Sequence, residues 1–172
     1  MKLIELRGKY GSTIGNYAQV DDEDYEYLNQ WKWFAIRPNI KKNTTLHYAV
    51  RAGERGLLYM HKILIESVKN IDHKDENGLN NQRNNLREAT HGQNTSNRSS
   101  NKKYKGVYKY TWKNKNGEIG EYYIARSDKK LSDGKTEIIK KYCKTEAEAA
   151  TEYNKIAIQL HGEYAKLNII NK

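Results

Sequence analysis

Ile71–Thr90 reads IDHKDENGLNNQRNNLREAT, and HGQNTSN follows at 91–97. One Asp-His step, Asp72-His73, stands at the head of a run with Gly78 and five Asn. Asn is a poor former of helices and strands. Its short amide can instead bond neighbouring backbone groups and hold a tight, irregular turn. Asn77, Asn80 and Asn81 are therefore read as turn formers. On an extended strand, adjacent side chains point to opposite sides. Asp72 and His73 address one target only if the strand twists or bulges there.

Upstream, KLIEL and NYAQV read as short strands. DDEDYEYLNQWKW begins with acids and continues with Tyr25, Leu28, Trp31 and Trp33, which predicts a short helix whose N-terminus favours negative charge. LHYAVRA (46–52) predicts a strand, and LLYMHKILIES (57–67) a helix from about Tyr59 that carries His61. Residues 93–103 are rich in Ser and Asn, have no apolar period, and mark a linker after a short helix. Beyond it, 104–112, 118–127 and 136–143 predict three strands joined by turns. KTEAEAATEYNKIAIQLHG (144–162) predicts a helix with a Thr145/Glu148 capping box. Its apolar stripe runs through Ala147, Ala150, Tyr153, Ala157 and Leu160, and Gly162 sits at the C-terminal cap. That helix is the natural cover for the sheet.

The 172 residues carry a net charge of +10. Residues 1–92 hold 14 Lys and Arg against 12 Asp and Glu, whereas residues 93–172 hold 17 against 9. The excess sits in the C-terminal half and points to a polyanionic partner, held through counterion release. Mean hydropathy is −1.02, lean for one large core and suited to small layered units. Cys143 is the single cysteine, which excludes an internal disulfide and a Cys-rich zinc site and fits a reducing compartment. No apolar run has the length of a signal peptide or a membrane span.

A basic chain with an Asp-His step suits phosphodiester hydrolysis. Such a reaction needs a base for water, a counter-charge for phosphate and help for the leaving oxygen. His73 titrates near neutrality and can be the base. Asp72 is a hard oxygen ligand suited to Mg²⁺. With His61 in YMHKIL, DH at 72–73, and the Asn pattern through NNLREAT to Asn94, residues 1–97 resemble an HNH nuclease of the phage and intron homing type. The resemblance implies an α+β fold whose N-terminal module is ββα-metal: a hairpin and a helix around one Mg²⁺ or Mn²⁺. It makes His73 the catalytic base, Asn85 the brace that orients it, and Asp72 and Asn94 the metal ligands, with Asn97 as rival for the second place. His61 and Arg87 are candidate phosphate contacts; a packed histidine and a surface salt bridge are the alternatives.

The remainder, 104–172 after a linker at 98–103, resembles the APETALA2 DNA-binding domain, through KYKGVYKYTW, EYYIARSD and above all AATEYNKIAIQLHGEYAKLN. That implies a three-stranded antiparallel sheet packed on one helix and laid into the major groove of double-stranded DNA. Period-2 reading puts Val107, Tyr123 and Ala125 towards the helix, and Tyr108, Tyr110, Trp112, Ile124 and Arg126 away from it. Arg126 is the candidate base reader, and Lys105, Lys109 and Lys113 the phosphate anchors; a cross-strand aromatic ladder is the alternative for the tyrosines. The expectation is a site-specific DNA endonuclease, monomer or homodimer, encoded by a phage or mobile element and acting in the bacterial cytoplasm. A non-catalytic DNA-binding regulator and an RNA-binding protein are the rivals.

Overall fold

The computed structural model describes residues 1–8, 16–37, 46–66 and 70–170. Gly11, Gly15 and the last residue of the helix expected at 57–67 lie outside them. Within them the chain is a mixed α+β structure that divides into two compact units, Met1–Thr90 and His91–Lys172.

The first unit is built on a five-stranded sheet. Strands β1 (Lys2–Arg7) and β2 (Tyr17–Val20) pair antiparallel. Helix α1 (Asp22–Leu28) then returns the chain to β3 (Trp33–Ile36), which lies parallel to β1, and β4 (Tyr48–Gly53) and β5 (Gly56–Tyr59) complete the order β2-β1-β3-β4-β5. The expected helix through Trp33 stops at Leu28. The buried Trp33 indole donates to the Leu28 carbonyl at 2.8 Å, closing the helix end, and Trp33 opens a strand instead. The helix expected from Tyr59 is α2 (Met60–Leu64), preceded by β5.

Next comes a two-stranded ribbon, β6 (Asn70–His73) with β7 (Leu86–Ala89), paired antiparallel without a bulge. Ile71 and Leu86 join the same core as Ile4, Val20, Leu28 and Trp33, so the ribbon is anchored on the sheet. The connecting loop is fixed as well. Gln19 donates to the Leu79 carbonyl and accepts from the Asn81 amide, so loop residues extend the sheet beyond β2. Arg83 forks onto the buried Asp24 carboxylate at 2.6 and 2.8 Å, and its backbone N–H donates to Asp21.

The second unit opens with helix α3 (His91–Asn97), followed by β8 (Val107–Lys113), β9 (Ile119–Lys130) and β10 (Thr136–Cys143) in the order β10-β9-β8, and helix α4 (Glu146–His161). Thr145 caps α4 by accepting from the Glu148 amide, while the Glu148 carboxylate accepts from Lys144; the helix ends at Gly162 with φ 56°. Its buried stripe is Ala149, Ala150, Tyr153, Ile156, Ala157 and Leu160. Ala147 is exposed, because the contact line runs through Ala149 rather than the residue two places earlier. Val107, Ala125 and Cys143 meet that stripe. His161 bridges Ser96 of α3 and Ser127 of β9, at 3.0 and 3.1 Å from its two ring nitrogens.

The Arg83–Asp24 fork ties the loop to α1 and gives a direct stability test. Asp24→Ala should cost about 1–2 kcal/mol by urea unfolding, since a charged hydrogen-bond pair with one buried partner is lost. Glu23→Ala removes only an exposed ion pair to the same Arg83 and should cost under about 0.5 kcal/mol.

Candidate active site

The question posed by the Asn-rich stretch has a structural answer in the loop between β6 and β7. The Asn85 amide oxygen accepts the Asp75 backbone N–H at 3.1 Å, and its nitrogen donates to Asp75 Oδ1 and to the Asn80 carbonyl, at 2.9 and 2.8 Å. Asp75 also accepts from the Asn77 N–H and from the Asn80 side chain. Asn77 and Asn80 in turn accept the N–H groups two residues on, of Leu79 and Gln82. Each amide satisfies backbone donors that no helix or strand is there to satisfy. Gly78 is required by close approach: a Cβ there would lie 2.3 Å from the His47 carbonyl oxygen.

The clasp holds the two ends of the loop beside His73, the last residue of β6. His73 is 5% exposed. Its ring meets His61 edge to face, with centroids 5.0 Å apart, and Tyr48 at 5.7 Å; Tyr59 closes the group against His61 at 5.4 Å. The fully buried Asn81 amide lies beside it. Burial pushes the His73 pKa below the ordinary imidazole value; Asn81, Asp75 and Asp72 pull it back in part. The imidazole is therefore neutral at neutral pH, the form a base needs.

Asp72 faces the other side of the ribbon, as strand alternation demands. It pairs across the ladder with Arg87, whose Nε and Nη2 both reach Asp72 Oδ2, at 3.0 and 2.8 Å. Both side chains are nearly buried. The Arg87–Asp72 pair is thus not a surface salt bridge. His61, 6% exposed, is packed among Tyr48, Tyr59 and His73.

Among the described residues no three His, Cys, Asp or Glu side chains cluster as a metal cage. Asp72 is a hard oxygen donor, of the kind that suits a strongly hydrated Mg²⁺ or Mn²⁺ with few protein ligands, and its carboxylate is engaged by Arg87. Asn94 is half-buried and Asn97 buried on α3, within the second unit.

In that unit the expected outward face is present. Tyr108, Tyr110 and Trp112 are exposed, and Arg126 is exposed beyond them. Ile124 shares their side but is covered by its cross-strand neighbours Tyr108 and Tyr142. The lysines fall elsewhere. Lys109 stands on the helix side, opposite Tyr123, with its ammonium 2.6 Å from Glu121. Lys113 has the same parity at the end of β8. Lys105 turns inward and donates to the Ser96 and Arg98 carbonyls. Asp75 and the Arg83–Asp24 fork had no place in the sequence reading, and Asn81 entered it only as a turn former. Asp75, two residues after His73, was the one with a signal, as a second acid in the DHKD step.

Over 169 residues the chain is 29% identical to a protein of Acanthamoeba polyphaga mimivirus named as an uncharacterized HNH endonuclease; the match covers 94% of this chain and 79% of that protein. No family model matches, and no solved structure matches. The similarity supports an HNH nuclease and extends through both units.

The histidine pair gives a pH test. His61 is held far below its ordinary 6.5, at about 3, first by burial, then by His73 and Lys62. The unfolded chain takes up its proton near pH 6.5 and the fold refuses it. Stability from this group is complete above that pH and is lost as pH falls towards 3. Urea unfolding at pH 7 and pH 5 should show a loss that His61→Gln reduces by up to about 1.4 kcal/mol per pH unit. An unchanged slope would show that His61 charges freely in the fold.

Proposed function

We propose that the chain is an HNH-type endonuclease that hydrolyses DNA phosphodiester bonds, with the first unit cutting and the second holding double-stranded DNA. One observation carries the reading: a buried, neutral imidazole, His73, at the end of a ribbon whose neighbouring residue is a buried carboxylate and whose loop is clasped by Asn85. The similarity to a protein named as an HNH endonuclease supports it over the same residues.

His73 accepts the proton of the attacking water. Packing against His61 and Tyr48 fixes its ring, and the Asn85–Asp75 clasp fixes the backbone that presents it. The resemblance gives the metal places to Asp72 and Asn94, but the unbulged ribbon turns Asp72 away from His73 and onto Arg87, so the reading rests on the imidazole; a Mg²⁺ or Mn²⁺ would supply positive charge for the phosphate and the departing 3′-oxygen. One such centre cuts one strand, so a double-strand break requires a dimer or two successive events. A homing role and site-specific cleavage follow the same resemblance, and Arg126 is the exposed arginine available for a guanine contact. Among the described residues no helix is long and apolar enough to cross a membrane.

Plasmid cleavage with Mg²⁺ tests the reading. His73→Ala should lose cleavage by at least about 100-fold, the low end of what general-base catalysis contributes, while binding duplex DNA as tightly as the parent. Cleavage at the parental rate by His73→Ala would remove the assignment.

A further inference from the structure

We propose that the outward face of the second unit's sheet is a stacking platform for unpaired bases, seating a single-stranded stretch of the bound DNA. The inference rests on DNA as the partner but not on the cutting chemistry of the first unit.

The register builds the platform. Tyr108, Tyr110 and Trp112 alternate along β8 on the side away from α4, and Tyr122 and Tyr142 join them across the rungs. Tyr110 and Tyr122 are parallel, 10° apart with centroids at 5.5 Å. Trp112 lies down on Gly120: a Cβ there would sit 2.3 Å from the indole Cζ2. One indole face is thus spent on the backbone, and the residue keeps 49% of its surface in solvent. Tyr142 keeps 59%. A contiguous exposed aromatic surface of this kind marks a binding site.

Charge specifies the occupant. Lys102 stands over the Tyr108 ring at 4.1 Å and Lys140 over Tyr142 at 5.8 Å, while Arg126 and Lys140 form the next rung. On the rungs of this face the single carboxylate is Asp128, beyond Arg126. Tyr108 and Arg126 also line a cavity of about 400 Å³ that contains Arg98, Lys102, Ser96 and Ser127. Rings flanked by cations, with a basic recess at their end, match a chain of bases linked by phosphates.

Geometry decides between paired and unpaired bases. A groove of duplex DNA offers base edges and phosphates, not base faces. Alternate residues on a strand are about 6–7 Å apart, roughly twice the 3.4 Å rise per nucleotide in a duplex. Bases resting on Tyr108, Tyr110 and Trp112 are therefore splayed, as in a single strand.

The test is fluorescence anisotropy on the full chain in EDTA, which prevents cleavage and keeps the result independent of His73. Labelled oligo(dT) and a duplex of equal length are compared at matched salt. Tyr110→Ala and Trp112→Ala should each weaken oligo(dT) about 5- to 100-fold, the range of one base–aromatic stack. Trp112→Phe should recover most of the loss, and duplex affinity should fall at least several-fold less than oligo(dT) affinity. Absent oligo(dT) binding, equal losses on both ligands, or no loss on either would overturn the platform. So would an oligo(rU) that competes ten times better than oligo(dT), which would make the face an RNA surface.

Discussion

The amide of Asn85, closed on Asp75 and on the Asn80 carbonyl, is the constraint on which the candidate site depends. The loop between β6 and β7 has no regular structure to satisfy its backbone, and it must still return the chain to Leu86, directly across from His73. Side-chain amides do this without adding charge next to the buried His73 imidazole. A carboxylate in the place of Asn85 would face Asp75 and repel it. The richness in Asn is thus a consequence of building a tight loop beside a titratable base.

The loop is held from outside as well. The backbone around Leu79–Asn81 adds to the edge of the five-stranded sheet, and Arg83 reaches α1. Both attachments lie far from residue 73 in sequence, so the imidazole is placed by the whole first unit. Asp72, one residue away, is governed differently. It is balanced by Arg87 on the opposite side of the ribbon, and the strand itself separates its carboxylate from the His73 ring.

Much of this was legible in the sequence, in proportion to how local the cause was. The capping box of α4, the three strands of the second unit and the alternation of its tyrosines depend on neighbours in the chain, and they fall where period and turn chemistry put them. The stripe of α4 needed the shift from Ala147 to Ala149 and the addition of Ile156. Trp33 was misplaced because its role is set by a long-range pairing with β1 and by its bond to Leu28, neither of which has a local signature. Lys109 and Lys105 were read as phosphate anchors from charge alone; their partners, Glu121 and the Ser96 and Arg98 carbonyls, appear only in three dimensions. His73, Asp72 and Asn85 could be named from spacing and resemblance. The burial of the pair, and the company of His61, Tyr48 and Asn81, could not.

The two units divide the physical work. The first spends buried polar groups on holding one ring and one carboxylate; the second leaves aromatic and basic groups in solvent, where only a partner can cover them. The most direct measurement is single-turnover cleavage by Asn85→Ala under saturating protein. The account predicts a rate at least tenfold below the parent with duplex affinity unchanged, because the loop that presents His73 has lost its clasp. A parental rate, in a variant whose Asp75 amide exchanges with solvent as an open loop does, would contradict it.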